Sequence, residues 1–381
     1  MDIFLEILSA LTTEDRVMLA TIISTSGSTP ASALSKMLVK SGGIVSVGTV
    51  GGGCMEGDVL LHANRLYESN KAEILTFHLN EDDIEHGLIC GGSLDVLIEP
   101  ITKEYIPLLE NLNTLRNEGE DCVLATHIAH DGKLKSKFLI TTSGEAVSKK
   151  ESSFIVDIKN LKPQISNPQP SLQDVIHKVH HRQETQRIKT DQGELILEPI
   201  SGTPSLIIFG GGHVSKFVSR AASMAGFRVT IVDDREKYSN PKRFPEAAQT
   251  LAIDFMAAFQ QLNIKQSTYI VIVTRGHRFD EDILEHAIKT PAKYIGMIGS
   301  KRKILTTYQH LMERRITADA LRYVHAPMGL EISAVTAEEI GISIVAQLIR
   351  VRRGEHVPLR DKSDSMNDLL SAVERNLPVH K

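Results

Sequence analysis

Cysteine is scarce, with only Cys54, Cys90 and Cys122 among 381 residues. An odd number at irregular spacing builds no disulfide framework and suits a reducing compartment, so a cytoplasmic protein is expected. There is no C-x-x-C pair and no close Cys/His cluster, which argues against a structural zinc site. His177, His180 and His181 would set two imidazoles on one helical face, but such a run is more often a surface feature. No apolar run reaches the roughly 20 residues that a membrane-spanning helix needs, so no membrane partner is expected. The opening MDIFLEILSAL is a short amphipathic helix carrying acids, without the basic start and long apolar core of a secretory segment. Positive charge is not in surplus either. With 43 Lys and Arg against 47 Asp and Glu, the net charge of −4 argues against a nucleic-acid binder and points to small molecules or proteins as partners.

Glycine is where the sequence becomes informative. Leu206 to Phe209 is an apolar run that ends in Gly210, Gly211 and Gly212, and apolar residues then recur at helical spacing from Val214 to Met224. Gly226 closes that helix, and Arg228 to Val232 forms a second strand ending in Asp233 and Asp234. Strand, tight turn, helix and a strand-tip acid about twenty residues later open a Rossmann-type unit. Glycines let the backbone approach a pyrophosphate while the helix N–H groups face it, and an acid at the second strand's tip accepts from a ribose hydroxyl. The match to G-x-G-x-x-G is partial, because Ser215 stands at the third glycine position. If a dinucleotide binds, Asp233 favours NAD over NADP, since a 2′-phosphate would meet a negative charge.

The C-terminal third keeps the alternation of a doubly wound sheet. Tyr269 to Thr274 and Lys293 to Ile298 read as strands, separated by a helix over Asp280 to Ile288, and helices follow over Lys303 to Arg314 and Thr336 to Arg353. The first strand runs into Arg275, Gly276 and His277, the second into Gly299, Ser300, Lys301, Arg302 and Lys303. Ligands of open parallel sheets sit outside such strand ends, and the Ser300–Lys303 segment is a candidate anion cradle.

The N-terminal part reads as an α+β domain. Strands are expected over 16 to 25, 36 to 50, 72 to 78 and 93 to 101, with a helix from Asp58 to Glu68. Leu195 to Ile200 (LILEPI) echoes Val96 to Ile101 (VLIEPI), but one short echo does not make a repeat architecture, and both read as exit strands of one domain. Cys54 follows three consecutive glycines and precedes Glu56 by two residues, and Cys90 also lies in a glycine-rich turn. A thiol there can be approached, which suits a functional thiol or soft-ligand role, with a buried structural cysteine as the alternative. The division expected is an N-terminal α+β domain over 1–200, including a middle segment from about 102 to 195, a Rossmann-like domain over 201–355, and a tail over 356–381.

Taken jointly, several motifs resemble the XdhC/CoxI family, the xanthine dehydrogenase accessory factors. They are the turn Gly51 to Glu56, Cys90-Gly91-Gly92 before an IEP strand, FGGGHVS from Phe209, VDDRE through Glu236 and the segment Asn240 to Pro245. TRGH, YIGMIGSKRK and APMGL extend the match toward Arg353. The resemblance implies a factor that binds the molybdenum cofactor, supports its sulfuration by a cysteine desulfurase and delivers it to an apo molybdenum hydroxylase, with a homodimer plausible. It implies Cys54 and Cys90 as thiols near the molybdopterin or its dinucleotide form, and Cys54 as candidate molybdenum ligand, with Gly52, Gly53 and Glu56 in the same turn. Gly210, Gly211, Gly212, His213, Asp233, Arg235 and Arg275 would form a nucleotide-type pocket, and Ser300, Lys301, Arg302 and Lys303 a second anion-binding element. The sequence departs from the family pattern at Ala31 to Ser35, where a basic stretch is expected, and at Glu331 to Ser333, where Asp-Ile-Gly is usual. The alternative is an NAD(P)-dependent oxidoreductase with His277 as candidate acid/base, a reading that gives the cysteine-bearing turns nothing to do.

Overall fold

The chain divides into two units, Met1–Gly202 and Thr203–Lys381. A computed structural model describes residues 2–79, 92–141, 146–147 and 172–354. In the first unit, helix α1 (Ile3–Ala10) leads into strands β1 (Arg16–Ser26), β2 (Lys36–Lys40) and β3 (Ile44–Gly48), then helix α2 (Gly53–Leu66) and strands β4 (Glu73–His78) and β5 (Ser93–Thr102). These strands form an antiparallel sheet in the order β3-β2-β1-β5-β4. The chain then repeats the plan. Helix α3 (Ile106–Asn117) precedes β6 (Cys122–Ala129), β7 (Leu134–Thr141) and β8 (Ala146–Val147), followed by α4 (Leu172–Arg182), β9 (Gln186–Thr190) and β10 (Gly193–Ile200). The second sheet has the matching order β8-β7-β6-β10-β9.

The echo of VLIEPI in LILEPI therefore marks β5 and β10 as equivalent strands of two like-ordered halves, which corrects the expectation that no repeat is present. Strand side chains alternate between faces, and each sheet uses both. Val17, Leu19, Leu97 and Ile101 share one core with Cys122, Leu124, Ile196 and Ile200. The opposite faces pack on the halves' own helices, with Met18, Ala20, Val96 and Ile98 beside Val59 and Ala63 of α2, and Val123, Ala125, Leu195 and Leu197 beside Val175, Ile176 and Val179 of α4.

Two buried ion pairs tie the halves reciprocally. Lys36 on β2 pairs with Glu198 on β10 at 2.7 Å and donates to Thr21 on β1. Its counterpart Lys137 on β7 pairs with Glu99 on β5 at 2.7 Å and donates to Thr126 on β6. Lys137 and Glu99 are 2% and 3% exposed, so both charges are desolvated and depend on each other.

In the second unit, strands β11 (Ser205–Phe209), β12 (Arg228–Asp233), β13 (Gln249–Ala252), β14 (Thr268–Ile272), β15 (Tyr294–Met297) and β16 (Val324–His325) form a parallel sheet ordered β13-β12-β11-β14-β15-β16. The helices are α5 (His213–Met224), α6 (Phe255–Gln261), α7 (His277–Ile288), α8 (Lys301–Glu313), α9 (Ala318–Arg322) and α10 (Ala337–Arg353). Val218 and Ala222 of α5 and Ile344, Val345 and Leu348 of α10 cover one face, over Leu206, Ile208, Val229 and Ile231. Side chains of α6 to α9 cover the other, over Ile207, Phe209, Ile270 and Ile272. This is the α/β doubly wound architecture expected, and its direction reverses between β11 and β14. Helix α10 packs on α5, where a Cβ on Gly341 would lie 2.8 Å from Phe217 Cβ, so its apolar side serves the sheet of its own chain.

Element ends differ from expectation in informative ways. The stretch expected as one strand over 36 to 50 folds back at Ser41–Gly43 into β2 and β3. Helix α2 starts at Gly53, not Asp58, because Glu56 closes the glycine turn from inside its first turn. Helix α7 starts at His277, not Asp280. Short α6, β13 and β16 were not anticipated.

The reciprocal ion pairs generate a stability test. Lys137→Met should strand Glu99 in the core and destabilise the protein by about 3–5 kcal/mol in chemical denaturation. Adding Glu99→Leu should recover most of that loss.

Candidate functional site

The turn after β11 sits at the point where the sheet reverses direction. Gly210 has φ 105°, and a Cβ there would lie 2.4 Å from the Val273 carbonyl oxygen. At Gly211 a Cβ would meet the Tyr238 carbonyl oxygen at 2.0 Å. Neither position accepts a side chain. At Gly212, by contrast, a Cβ would have nothing within 4 Å, so the space in front of α5 is open. Gly212 is the N-cap of α5 and supplies no side-chain acceptor, leaving the first helical N–H groups without a side-chain cap. His213 is the exposed first residue of α5, edge-on to Phe217.

The strand-tip acid is engaged differently from the expected ribose contact. Asp233 is 1% exposed, and its carboxylate accepts from the Gly211 N–H at 2.8 Å and from the Arg235 guanidinium at 2.9 and 3.1 Å. Burial pushes the Asp233 carboxyl up, but the hydrogen bonds from Arg235 and Gly211 outweigh it and hold the pKa below the usual value. Asp233 thus anchors the glycine turn, and the outer carboxylate of the pair is Asp234, 2.9 Å from Arg275 and 3.5 Å from Arg235.

A second clamp lies on the turn's other side. Arg243 donates to the carbonyls of Gly211 and Gly212 at 2.9 and 3.2 Å, and the Tyr238 ring carries Arg235 at 3.7 Å and Arg243 at 5.2 Å. Arg243 and Tyr238 were not singled out from sequence, although the segment Asn240 to Pro245 that contains Arg243 was.

After β15, two strands from β11 in the sheet, Ser300 caps α8 by accepting from the Lys303 N–H, and Lys301 and Arg302 are exposed in its first turn. Lys303 turns inward to pair with fully buried Asp280, which also accepts from the Thr274 hydroxyl at 2.6 Å. Thr274 opens the TRGH motif and Asp280 the helix expected from sequence, but neither was assigned a site role there. His277 begins α7 as a helical residue and not as part of a polar turn; only its main-chain position is described.

In the first unit, Gly51, Gly52 and Gly53 take φ of 126°, 75° and 61° in succession, a backbone that side-chain-bearing residues rarely adopt. Glu56 Oε1 accepts from the N–H groups of Val50 at 3.2 Å and Gly52 at 3.1 Å and from the Thr49 hydroxyl, so Glu56 closes this turn. Cys54 is the second residue of α2, described by its main-chain position alone. Cys90 lies outside the described residues. Its neighbour Gly92 packs against the Gly27–Pro30 segment, where a Cβ would meet Ser28 O at 2.3 Å, and a Cβ on Gly51 would lie 3.0 Å from Pro30. The turns carrying Gly51 and Gly92 therefore flank one segment. Cys122 is buried, which pushes its thiol up to about 12, as suits a core cysteine. Among the described residues no group of His, Cys, Asp and Glu is arranged to hold a metal ion, and no helix is long and apolar enough to cross a membrane.

Known proteins resemble both units. The XdhC Rossmann domain matches residues 206–348, and the XdhC and CoxI family matches residues 10–78. A probable xanthine dehydrogenase subunit of Bacillus subtilis (strain 168) is 27% identical over 351 residues, covering 89% of this chain and 94% of that protein. YqeB of Escherichia coli (strain K12), described as uncharacterized, is 31% identical over 150 residues, 39% of this chain and only 27% of its own length. A crystal structure described as a xanthine dehydrogenase from Bacillus halodurans superposes with a TM-score of 0.72 at 26% identity, covering 96% of this chain and 99% of that one.

If Asp233 anchors the turn, Asp233→Ala should cost about 1–3 kcal/mol by leaving the Gly211 N–H and Arg235 unpaired. Because the folded-state pKa is depressed, the carboxylate's contribution is complete at neutral pH and is lost as pH falls below about 4. Thermal unfolding of wild type and Asp233→Asn across that range should show a weaker acid dependence in the variant.

Proposed function

The chain belongs to the XdhC and CoxI family, and from that premise we propose that it is an accessory factor that binds the molybdenum cofactor, supports its sulfuration and passes it to an apo molybdenum hydroxylase. The observation that carries this reading is Cys54 in the first turn of α2, presented by three glycines of positive φ and a turn that Glu56 closes. The thiolate is the form of cysteine that binds metals and accepts sulfur. The relatives whose names refer to xanthine dehydrogenase support the choice of partner class.

The residues present suit such a cargo. A pterin cofactor carries at least one phosphate, and the uncapped N–H groups of α5 beside Gly212, with Arg235 and Arg275 near, fit an anion. When bound, the cofactor supplies the molybdenum centre that the hydroxylase requires. In the second unit the Gly210–His213 turn, kept in shape by Asp233, would hold a phosphate; in the first, the turn kept in shape by Glu56 would carry the Cys54 thiol. Ser300, Lys301 and Arg302 add a second group of anion donors at the end of β15. A cysteine desulfurase as sulfur donor and the apo-hydroxylase as recipient are the partners this reading needs. The NAD-dependent oxidoreductase alternative leans on Asp233 as ribose acceptor, and its engagement with Gly211 and Arg235 weighs against that role.

Mixing the purified chain, loaded with cofactor and a sulfur donor, with apo-hydroxylase should restore hydroxylase activity. With Cys54→Ser the rate of activation should fall by at least tenfold while cofactor content changes less. Activation at the wild-type rate would remove the thiol from the mechanism.

A further inference from the structure

The order of the parallel sheet places β11 between β12 and β14, so the residues that follow β12 and β14 flank the Gly210–Gly212 turn on both sides. Asp234 follows β12 and Arg275 follows β14. Their side chains meet at 2.9 Å, so one ion pair spans the end of β11 where the glycine turn begins. Asp233, the neighbouring acid, is buried and satisfied by Gly211 and Arg235. Asp234 and Arg275 are themselves 28% and 48% exposed, which leaves their contact open to exchange.

From this geometry we infer that Asp234 acts as a stand-in anion: it holds Arg275 across the switch point, and a phosphate arriving at the glycine turn takes Arg275 from it. The inference rests on the proposed phosphate-binding role of that turn. A guanidinium pairs with phosphate as readily as with carboxylate, through the same planar fork of donors. An exposed carboxylate–guanidinium pair is worth little in water, so exchanging one oxyanion for another costs little while the Arg stays in place. Asp234 is then a specificity-determining residue. It competes with weakly charged ligands for Arg275, and only a ligand that brings its own phosphate charge displaces it. Arg235, held by Asp233 and 3.5 Å from Asp234, keeps a second positive charge at the same tip, so the released carboxylate is not left without a counter-ion.

The sign of one substitution separates this arrangement from a ribose-binding acid. Asp234→Asn frees Arg275 and removes a repelling charge, so calorimetric titration of the full chain with ADP and with inorganic pyrophosphate should give about two- to fivefold tighter binding. Arg275→Gln should weaken the same titrations by about fivefold or more, and in that background the gain from Asp234→Asn should shrink. Thermal unfolding of Asp234→Asn should stay close to wild type, separating the effect from damage to the fold. Weaker ADP binding in Asp234→Asn would make the carboxylate a direct ligand contact and overturn the inference while leaving the turn as a phosphate site. Wild-type protein that binds neither probe would overturn the phosphate-site reading itself, and this inference with it.

Discussion

At Gly92, Gly210 and Gly211, beside the ends of strands, this protein has no room for a side chain, and that constraint shapes glycine turns in both units. A Cβ on Gly211 would stand 2.0 Å from a backbone carbonyl oxygen, one on Gly210 2.4 Å and one on Gly92 2.3 Å. Such contacts are far shorter than atoms tolerate, so backbone must pass against backbone there. The result in the second unit is a turn whose N–H and C=O groups are reachable but must be held in shape by others. Asp233 and Arg243 hold it from opposite sides, one accepting from the turn and the other donating to its carbonyls. In the first unit Glu56 does the same for the turn that carries Cys54. Charged side chains that read as ligand contacts in the sequence are, in part, the braces of the turns that would meet the ligand.

The two halves of the first unit share strand order, helix positions and a pair of reciprocal Lys–Glu contacts, yet only the first carries the Gly51–Cys54 turn within the described residues. Burying charge is a poor way to gain stability, but a buried charge with a single acceptable partner fixes register. Lys36 reaches Glu198 and Lys137 reaches Glu99, each from one half into the other. These contacts hold the two sheets in one alignment.

Much of the Rossmann half was legible because parallel strands buried on both faces read as continuous apolar runs, as in Leu206 to Phe209 and Tyr269 to Ile272. Gly210 and Gly211 were legible because no side chain fits there, whereas Gly212 faces open space. The duplication was not, since its halves share little beyond VLIEPI and LILEPI and the positions of Thr21, Lys36, Thr126 and Lys137, which have meaning only once the strands are paired. Asp233 was located correctly at a strand tip, but a sequence does not tell whether a carboxylate faces a ligand or its own backbone. Lys303 was visible as part of a basic run, while its buried partner Asp280 lay 23 residues away in a helix expected to begin at that same residue. Burial and pairing are tertiary facts, and they decide which charges remain for chemistry.

The proposed cargo of this chain is a molybdenum-bearing pterin and not a nicotinamide dinucleotide. Co-expression in a host that makes molybdopterin, followed by measurement of molybdenum, pterin and NAD(H) per purified chain, tests it most directly. Pterin close to one per chain is expected, lowered by disrupting the Gly210–Gly212 turn. Tightly bound NAD without pterin would contradict it and turn attention to an oxidoreductase substrate.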